Sequence, residues 1–353
     1  MRASALLLVL AAVAALPLRP DEAAASSRPP SEGASGPGAG EGRDDATLPT
    51  VTYIMPTNSR PEFVDHALGG IARQDYPAHL ISEVVIVDDS PTHLAAPGLV
   101  EGEQEWRPPP DDGAPAPAPL RVVYVRTVSM SVGEKRNVAV GHARGAVILH
   151  TDDDDFYSPL RTRRQVRPIV NGDADLTVLE HQATFFLAEP RLYVARMPWK
   201  SFSSWGPHFG TLAYRRSLWG GGAGGGAGGG AGGAAGGGTG GAAGGGDGAP
   251  VPAGVVFTHN SEAEDYGFAQ AAVRRGAKLL AVPPAAGRYD FVCSRHGSNT
   301  WKWGAEGYRE EERVEWAAAE VRARGPAAPP LVRPRLCPRR RSDLPPPRPP
   351  ARR

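Results

Sequence analysis

Short apolar runs alternate with polar turns from residue 51 onward. Residues 51–55 form a β-rich run that a proline ends, and residues 84–87 form a second run that stops at two aspartates. Between them, residues 61–72 carry apolar side chains at helical spacing, and the proline at their start suits the first turn of a helix. A strand, a helix and a strand at this spacing predict a βαβ unit, and therefore a parallel sheet.

The alternation of elements continues along the chain. Further strands are predicted at residues 120–125, 146–150, 176–179, 185–187 and 278–282, and further helices at residues 134–143 and 264–275. Residues 91–119 are polar and rich in proline, so they are interpreted as a loop. The pattern as a whole predicts an α/β protein with a single domain and a mixed, mainly parallel central sheet.

Glycine and proline set apart the segments outside this domain, because 44 glycines and 36 prolines cluster in a few places. Residues 26–47 are too poor in apolar side chains to order themselves, which predicts a disordered linker. Residues 219–250 are almost entirely glycine and alanine, which predicts a disordered insertion in a surface loop. Residues 48–308 are therefore predicted to form the folded domain, with that insertion inside it.

The two ends of the chain differ in character. Residues 5–16 are apolar but too few to span a membrane, which takes about 20 residues, and they fit the core of a signal peptide. Residues 1–25 are therefore predicted to be a signal peptide or signal anchor, with an organelle transit peptide as the alternative. This predicts the secretory pathway, in the endoplasmic reticulum or Golgi lumen. Residues 309–353 are predicted to form a charged helix and a basic tail rich in proline and arginine.

Charge and cysteine content exclude two classes of site. The 39 lysines and arginines nearly balance the 38 acidic residues, and a net charge of +1 argues against a general nucleic-acid surface. Cys293 and Cys337 are not spaced as a zinc-binding pair. A disulfide between them and two unpaired thiols both remain open.

Four consecutive aspartates, residues 152–155, directly follow the strand predicted at 146–150. Ligands of open parallel sheets bind beyond the carboxyl ends of the strands. Adjacent carboxylates repel one another unless a cation or solvent relieves them, and Mg²⁺ and Mn²⁺ prefer carboxylate oxygens and often bridge to phosphates. The run therefore predicts a divalent metal that holds a diphosphate, with a solvated acidic turn as the alternative.

For the other candidate residues, the sequence evidence for a functional role is weaker when each is taken alone. Asp88 and Asp89 end a strand, where one of them accepts a hydrogen bond from a nucleotide or caps a turn. Lys135 and Arg136 begin a helix, where they contact a nucleotide or are ordinary exposed charges.

Three further groups of residues each have more than one interpretation. Glu264 and Asp265 begin a helix, where a carboxylate acts as general base or complements the helix dipole. His296 is a metal ligand, a phosphate contact or a structural histidine. Four tryptophans line a sugar-binding cleft or pack in the core: Trp199, Trp205, Trp301 and Trp303.

Taken in order along the chain, these segments resemble the inverting family 2 glycosyltransferases of the GT-A fold. The resemblance covers about residues 48–303 and rests on residues 52–57, 87–90, 133–137, 148–155, 210–216 and 264–265. It implies a single GT-A, Rossmann-like domain that moves a sugar from a nucleoside-diphosphate donor, a UDP- or GDP-sugar, to an acceptor hydroxyl. The acceptor is a glycan, a protein or a lipid.

The resemblance also implies roles for residues on the nucleotide side of the site. Thr57, with Asp88 or Asp89, would hold the base and the ribose. Arg136 would contact the nucleotide from its loop, beside Lys135, which is a candidate from its position at the helix start.

On the side of the chemistry, the resemblance implies a metal site and a base. Asp152 and Asp154 match an Asp-x-Asp motif that binds Mn²⁺ or Mg²⁺, and the run of four leaves the register open, so Asp155 is a further candidate. Asp265 matches the general base of a Glu-Asp motif, with Glu264 beside it. His296 matches no residue common to the family.

One departure and two alternatives accompany the resemblance. The glycine insertion replaces what is a short connection in the family, which puts closure of the acceptor side in doubt. A nucleotidyltransferase on a related fold is the first alternative, but residues 56–61 lack the glycines that its phosphate loop needs. A non-catalytic sugar-binding relative is the second. The chain also shows no series of membrane helices, which excludes a multi-span polysaccharide synthase.

Overall fold

A computed structural model describes the folded part of the chain in nine stretches. These are residues 45–91, 98–108, 116–186, 191–196, 208–220, 254–261, 263–283, 290–295 and 313–315. All of them belong to the first of two compact units, Met1–Trp316, and the second unit is Ala317–Arg353. Several predictions fall outside the described residues: the signal segment, nearly all of the linker and of the glycine insertion, His296, Cys337 and the four tryptophans.

The described elements follow one another as strands and helices. The strands are β1 Val51–Thr57, β2 Ile81–Asp88, β3 Gly102–Trp106, β4 Leu120–Arg126, β5 Val147–His150, β6 Phe156–Tyr157, β7 Leu176–Leu179, β8 His181–Phe186, β9 Arg191–Arg196, β10 Ala213–Arg215, β11 Leu279–Val282, β12 Phe291–Arg295 and β13 Arg313–Glu315. The α-helices are α1 Pro61–Ala72, α2 Val132–His142, α3 Arg161–Val170 and α4 Glu264–Arg274.

The larger sheet has eight strands in the order β11-β7-β10-β5-β1-β2-β4-β3. Strands β5, β1, β2 and β4 are parallel to one another, and β11 is parallel to β7. Strand β10 is antiparallel to both of its neighbours, and β3 is antiparallel to β4. The sheet is therefore mixed with a parallel centre, and the predicted fold class is confirmed. The carboxyl ends of β1, β2 and β5 meet at one edge.

Helices cover both faces of this sheet. Tyr53 and Met55 of β1 pack with buried side chains of α1 and α3 on one face. Ile54 points to the other face, where it packs with α2 and α4. Successive side chains of a strand alternate between faces, so a strand that is covered on both sides is apolar throughout. This burial explains the continuous apolar runs of β1 and β2.

A second, five-stranded sheet runs in the order β13-β9-β8-β12-β6. Strand β6, at one edge of this sheet, comes directly after the four aspartates. The second sheet therefore lies next to the acidic turn. Within it, β13 pairs antiparallel with β9. The charged helix predicted from residue 309 is therefore wrong at Arg313–Glu315, because pairing with a distant strand outweighs local helix propensity.

The hydrophobic pattern missed several elements, and two of them, β3 and α3, show why. Strand β3 lies inside the segment interpreted as a loop; its sequence is polar because it forms an exposed edge that, among the described strands, pairs with β4 alone. Helix α3 contains Pro168 and several arginines, yet it buries Arg161, Thr162 and Gln165 together with two apolar side chains. Apolar periodicity does not show such a helix, because hydrogen bonds satisfy its buried polar groups.

Gly133, in the first turn of α2, touches the backbone of the segment that precedes α4. Its N–H donates to the Asn260 carbonyl at 2.9 Å, and an added Cβ would lie 1.8 Å from the Thr258 oxygen. We expect Gly133→Ala to lower the free energy of unfolding by about 1–3 kcal/mol, because backbone must move to make room. Gly70→Ala in α1 is the matched control, since its Cβ would meet nothing within 4 Å. Urea denaturation compares the two, and equal losses would contradict the close approach.

Candidate active site

The four aspartates occupy the turn between β5 and β6 and differ in exposure. The side chain of Asp152 is 27% exposed, whereas Asp153, Asp154 and Asp155 are buried. The Asp152 N–H donates to the Tyr157 hydroxyl at 3.2 Å, and the Ser294 N–H of β12 donates to Asp155 Oδ1 at 2.8 Å. Strands β6 and β12 of the five-stranded sheet therefore both help to hold the turn.

Burial changes the ionisation of two of these carboxyls. It raises the pKa of Asp153 to about 7, against the opposing charge of Arg60. Burial also raises the pKa of Asp155 well above its usual value, and the charges of Asp154 and Asp152 add to the effect. The physical cause is that a carboxylate is poorly stabilised away from water and next to other carboxylates. A cation in this turn would remove that penalty.

Arg60, the residue before α1, places a guanidinium on the acidic turn. Its NH1 lies 2.6 Å from Asp154 Oδ2, and its NH2 lies 2.8 Å from Asp153 Oδ1. Burial alone would lower the pKa of Arg60, but Asp153 and Asp154 outweigh burial and raise it. The sequence analysis did not single out this residue. Its only sequence signal is its position just past the end of β1, at the ligand-binding edge of a parallel sheet.

Arg136 joins the acidic turn to the start of α4. Its NH2 lies 3.2 Å from Asp152 Oδ1, and its NH1 lies 2.6 Å from Glu264 Oε1 and 3.4 Å from Asp265 Oδ2. The arginine side chain is only 3% exposed. Three carboxylates from two distant segments of the sequence thus surround one buried cation.

Glu264 is the buried member of this cluster. Burial raises its pKa to about 7; Arg136 opposes the shift and Asp265 adds to it. A carboxyl that holds its proton more tightly in the folded state stabilises the fold at low pH and loses that contribution as the pH rises.

The pH dependence of stability should report on Glu264. Its pKa rises from 4.5 to about 7 on folding, so its contribution to the free energy of unfolding should decline across that interval in metal-free buffer. Glu264→Gln cannot titrate, and its free energy of unfolding should vary less with pH, by up to about 1.4 kcal/mol per pH unit. Urea denaturation at several pH values measures both proteins. Parallel curves for the two would contradict this prediction.

Asp89, just past β2, is the centre of a second polar group. Its Oδ1 accepts from Lys135 Nζ at 2.5 Å and from Asn58 Nδ2 at 2.8 Å, and its Oδ2 accepts from the Met130 N–H at 3.1 Å. Burial alone would raise the pKa of Asp89, but these hydrogen bonds outweigh it and lower the pKa. Asp89 is therefore a fixed, ionised acceptor.

Thr57 connects this group to the acidic turn. Its hydroxyl donates to Asp153 Oδ2 at 2.6 Å, and its carbonyl accepts from Lys135 Nζ at 3.0 Å. Asp88 has different partners from Asp89: its Oδ1 accepts from the Ser90 N–H at 2.8 Å, and its Oδ2 accepts from the Tyr124 hydroxyl at 2.5 Å.

His208 is a further residue beside the site that the sequence analysis did not single out. Its ring packs on Phe291 at a centroid distance of 5.0 Å, and burial lowers its pKa. A Cβ at Gly210 would lie 2.8 Å from His208 Nδ1 and 3.1 Å from Asp152 Oδ2, so both atoms border the same point. A small residue at 210 keeps that point open.

The donor set of the acidic turn suits a hard divalent cation. Mg²⁺ is usually held by one or two carboxylates together with substrate phosphates and water. In the described part of the chain, no cluster of three His, Cys, Asp or Glu side chains has the geometry of a complete metal site. Of the two carboxylates that the resemblance assigns to a metal, Asp152 is 27% exposed and Asp154 is 8% exposed.

Residues 52–218 match the family model described as glycosyl transferase family 2. Two curated relatives, from strains Mu50 and MW2 of Staphylococcus aureus, are named poly(ribitol-phosphate) beta-N-acetylglucosaminyltransferase TarS. Each is 29% identical over 105 residues, which is 30% of this chain and 16% of the relative. The matched part is thus a small fraction of the length of these relatives.

Two solved structures are similar to this chain at low sequence identity. The crystal structure of S. aureus TarS 1–349 has a TM-score of 0.40 and 16% identity, and the match covers 69% of this chain and 60% of that one. Mannosyltransferase PcManGT from Pyrobaculum calidifontis, in complex with GDP-Man and Mn²⁺, has a TM-score of 0.43 and 15% identity, with 83% and 66% covered.

The predicted localisation in the endoplasmic reticulum or Golgi lumen is wrong. The curated relatives are proteins of the bacterium S. aureus, and bacterial cells have neither compartment. The prediction relied on residues 1–25, a local apolar pattern that many unrelated segments share. Among the residues that the structure describes, no helix combines the length and the apolar character needed to span a bilayer.

Proposed function

Since the chain belongs to glycosyl transferase family 2 through its residues 52–218, we propose that it transfers a sugar from a nucleoside-diphosphate donor to an acceptor hydroxyl, with a divalent metal and with inversion. The predicted family and enzyme class are confirmed by that match. The donor base, the acceptor, the metal and the stereochemistry belong to the proposal.

The observation that carries the proposal is the cluster around Arg136. A candidate metal-binding carboxylate, Asp152, and a candidate base, Asp265, both lie within 3.4 Å of one guanidinium. A transferase needs these two functions next to each other, because the leaving group and the attacking hydroxyl are bonded to the same carbon in the transition state.

Asp265 suits the role of general base better than Glu264. The Asp265 side chain is 16% exposed and lies 3.4 Å from Arg136, whereas the Glu264 side chain is 6% exposed and lies 2.6 Å from it. Asp265 can therefore reach an acceptor hydroxyl, and Glu264 serves to anchor Arg136. As the hydroxyl oxygen attacks the anomeric carbon, Asp265 takes its proton. A single displacement of this kind inverts the configuration at that carbon.

Asp152 and Asp154 would hold the metal, which when bound neutralises charge on the departing diphosphate. On the nucleotide side, Asp89 is a better acceptor than Asp88. Asp88 is 2% exposed and Asp89 is 8% exposed, so Asp89 is the more accessible of the two to a hydrogen-bond donor of a ribose or base.

Lys135 and Arg136 have a different place in the proposal from the one that the resemblance implies. Each is buried, and each pairs with carboxylates at 3.4 Å or less. We assign them the task of orienting Asp89 and Asp265, respectively, rather than direct contact with the nucleotide.

A thermal-shift screen of the full chain tests the proposal. UDP and GDP are added with and without Mn²⁺, because a ligand that binds only the folded state raises the melting temperature by mass action. We expect one nucleoside diphosphate to stabilise the wild type in a manganese-dependent way. Asp154→Ala should lose that shift, while Asp173→Ala, an exposed turn residue, should keep it.

Turnover separates the alternatives. Release of nucleoside diphosphate from a nucleotide sugar supports a glycosyltransferase, whereas release of pyrophosphate from a nucleoside triphosphate would indicate a nucleotidyltransferase. A folded protein that no nucleotide stabilises would indicate a non-catalytic relative.

A further inference from the structure

Arg60 already fills the place that a cation would take on the acidic turn. Its two terminal nitrogens contact Asp153 Oδ1 at 2.8 Å and Asp154 Oδ2 at 2.6 Å. The arginine side chain is 16% exposed, and those of Asp153 and Asp154 are 0% and 8% exposed. Ion pairs that are shielded from water in this way are screened little by salt.

The contact with Asp154 is the important one, because the proposed metal needs the same carboxylate. A guanidinium at hydrogen-bonding distance from an oxygen and a divalent ion bonded to it at about 2.0–2.1 Å place two positive charges within a few ångströms of each other. Asp154 has a second oxygen that a metal could use, but the two cations would then repel each other across a site that is shielded from water. That repulsion weakens metal binding and favours withdrawal of Arg60 from Asp154 towards Asp153.

We propose that Arg60 is an internal counter-ion of the metal site, which neutralises Asp153 and Asp154 in the metal-free protein and gives up Asp154 when the metal binds. The inference rests on the proposed metal at Asp154. It makes Arg60 a positioning residue: Arg60 holds the acidic turn in its folded arrangement before the metal arrives, and it weakens metal binding by competing for a ligand.

The test is a titration of the full-length protein with Mn²⁺ alone, without nucleotide, in which free Mn²⁺ is followed by electron paramagnetic resonance. Arg60→Met removes the competitor, so it should bind Mn²⁺ about tenfold more tightly than the wild type, which corresponds to one modest ion pair. A residue that only stabilised the fold would leave affinity unchanged or weaken it. The sign of the change therefore distinguishes competition from a structural role.

Arg60→Lys is the conservative variant, and it takes the place of Arg60→Met in the titration if Arg60→Met does not fold. A single ammonium cannot bridge two carboxylates as a guanidinium does, so its Mn²⁺ affinity should lie between those of the wild type and Arg60→Met. Arg163→Met is the matched control. Arg163 lies 2.7 Å from Asp45 and is 12% exposed, but it contacts none of the four aspartates in the described structure.

Melting in EDTA supplies a second readout. Arg60→Met should melt at a lower temperature than the wild type without metal and gain more on addition of Mn²⁺, while Arg163→Met should gain the same as the wild type. Equal or weaker Mn²⁺ binding by Arg60→Met, or no binding by either protein, would overturn the inference. Failure of the proposed function would appear elsewhere, as absence of manganese-dependent nucleotide binding by the wild type.

Discussion

Replacing Asp265 by asparagine is expected to lower kcat about 100- to 10,000-fold, the usual contribution of a general base. Asparagine keeps the size of the side chain and a hydrogen-bonding oxygen near Arg136, but it cannot take the proton of the acceptor hydroxyl. The KM for the nucleotide sugar should change little, because the base acts on the acceptor. Release of nucleoside diphosphate, followed at saturating donor and acceptor, measures the effect.

Two controls make this result specific. Asp173→Asn, in an exposed turn after α3, should retain the activity of the wild type. Asp265→Asn should also keep the manganese-dependent thermal shift with nucleotide, which shows that the site is still assembled. Full transfer activity in Asp265→Asn would remove this residue from the role of base.

Replacing Arg136 by methionine is expected to lower the free energy of unfolding by about 3–5 kcal/mol, as is typical when one partner of a buried ion pair is removed. The loss arises because Glu264, which lies 2.6 Å from the guanidinium, stays buried without its partner. Burial already raises the pKa of Glu264 to about 7. The loss in free energy of unfolding should therefore be largest above that pH, where Glu264 is ionised. Urea denaturation at pH 8 and at pH 5 measures both effects.

A second substitution tests this explanation. Arg136→Met combined with Glu264→Leu removes both charges, and it should recover much of the lost stability, because apolar replacement of a whole buried pair is often neutral. Arg163→Met, a pair whose partner Asp45 is 47% exposed, should cost about 1 kcal/mol or less. If the double variant were less stable than Arg136→Met, the unpaired charge of Glu264 would not be the cause.

Some features of this protein could be predicted from the sequence because they are local. The apolar runs of β1, β2 and β5 are continuous since both faces of the sheet are covered, and their spacing around α1 is that of a βαβ unit. The position of the four aspartates after β5 follows from adjacency in the chain. Residues 91–119 show the limit of prediction from local patterns. Strand β3 lies in this segment and is held by its pairing with β4, and that pairing leaves no pattern in the neighbouring residues.

The partners of the charged side chains could not be predicted in this way. Lys135 and Arg136 are neighbours at the start of one helix, and as a sequence they look like two exposed charges. In the fold they point to different carboxylates, Asp89 and Glu264, and both are buried. For Arg60, the sequence shows only a position just past the end of β1 and not its partners, which lie more than 90 positions away.

By itself, the sequence determined the class of fold and the position of the acidic turn after β5, and it carries the match of residues 52–218 to the glycosyl transferase family 2 model. Only the tertiary structure decided which cation faces which carboxylate, and therefore which acids are buried, paired or open to a substrate. The physical reason is that hydrophobic periodicity depends on residues that are close together in the sequence, whereas the energy of an ion pair depends on distance and burial in three dimensions.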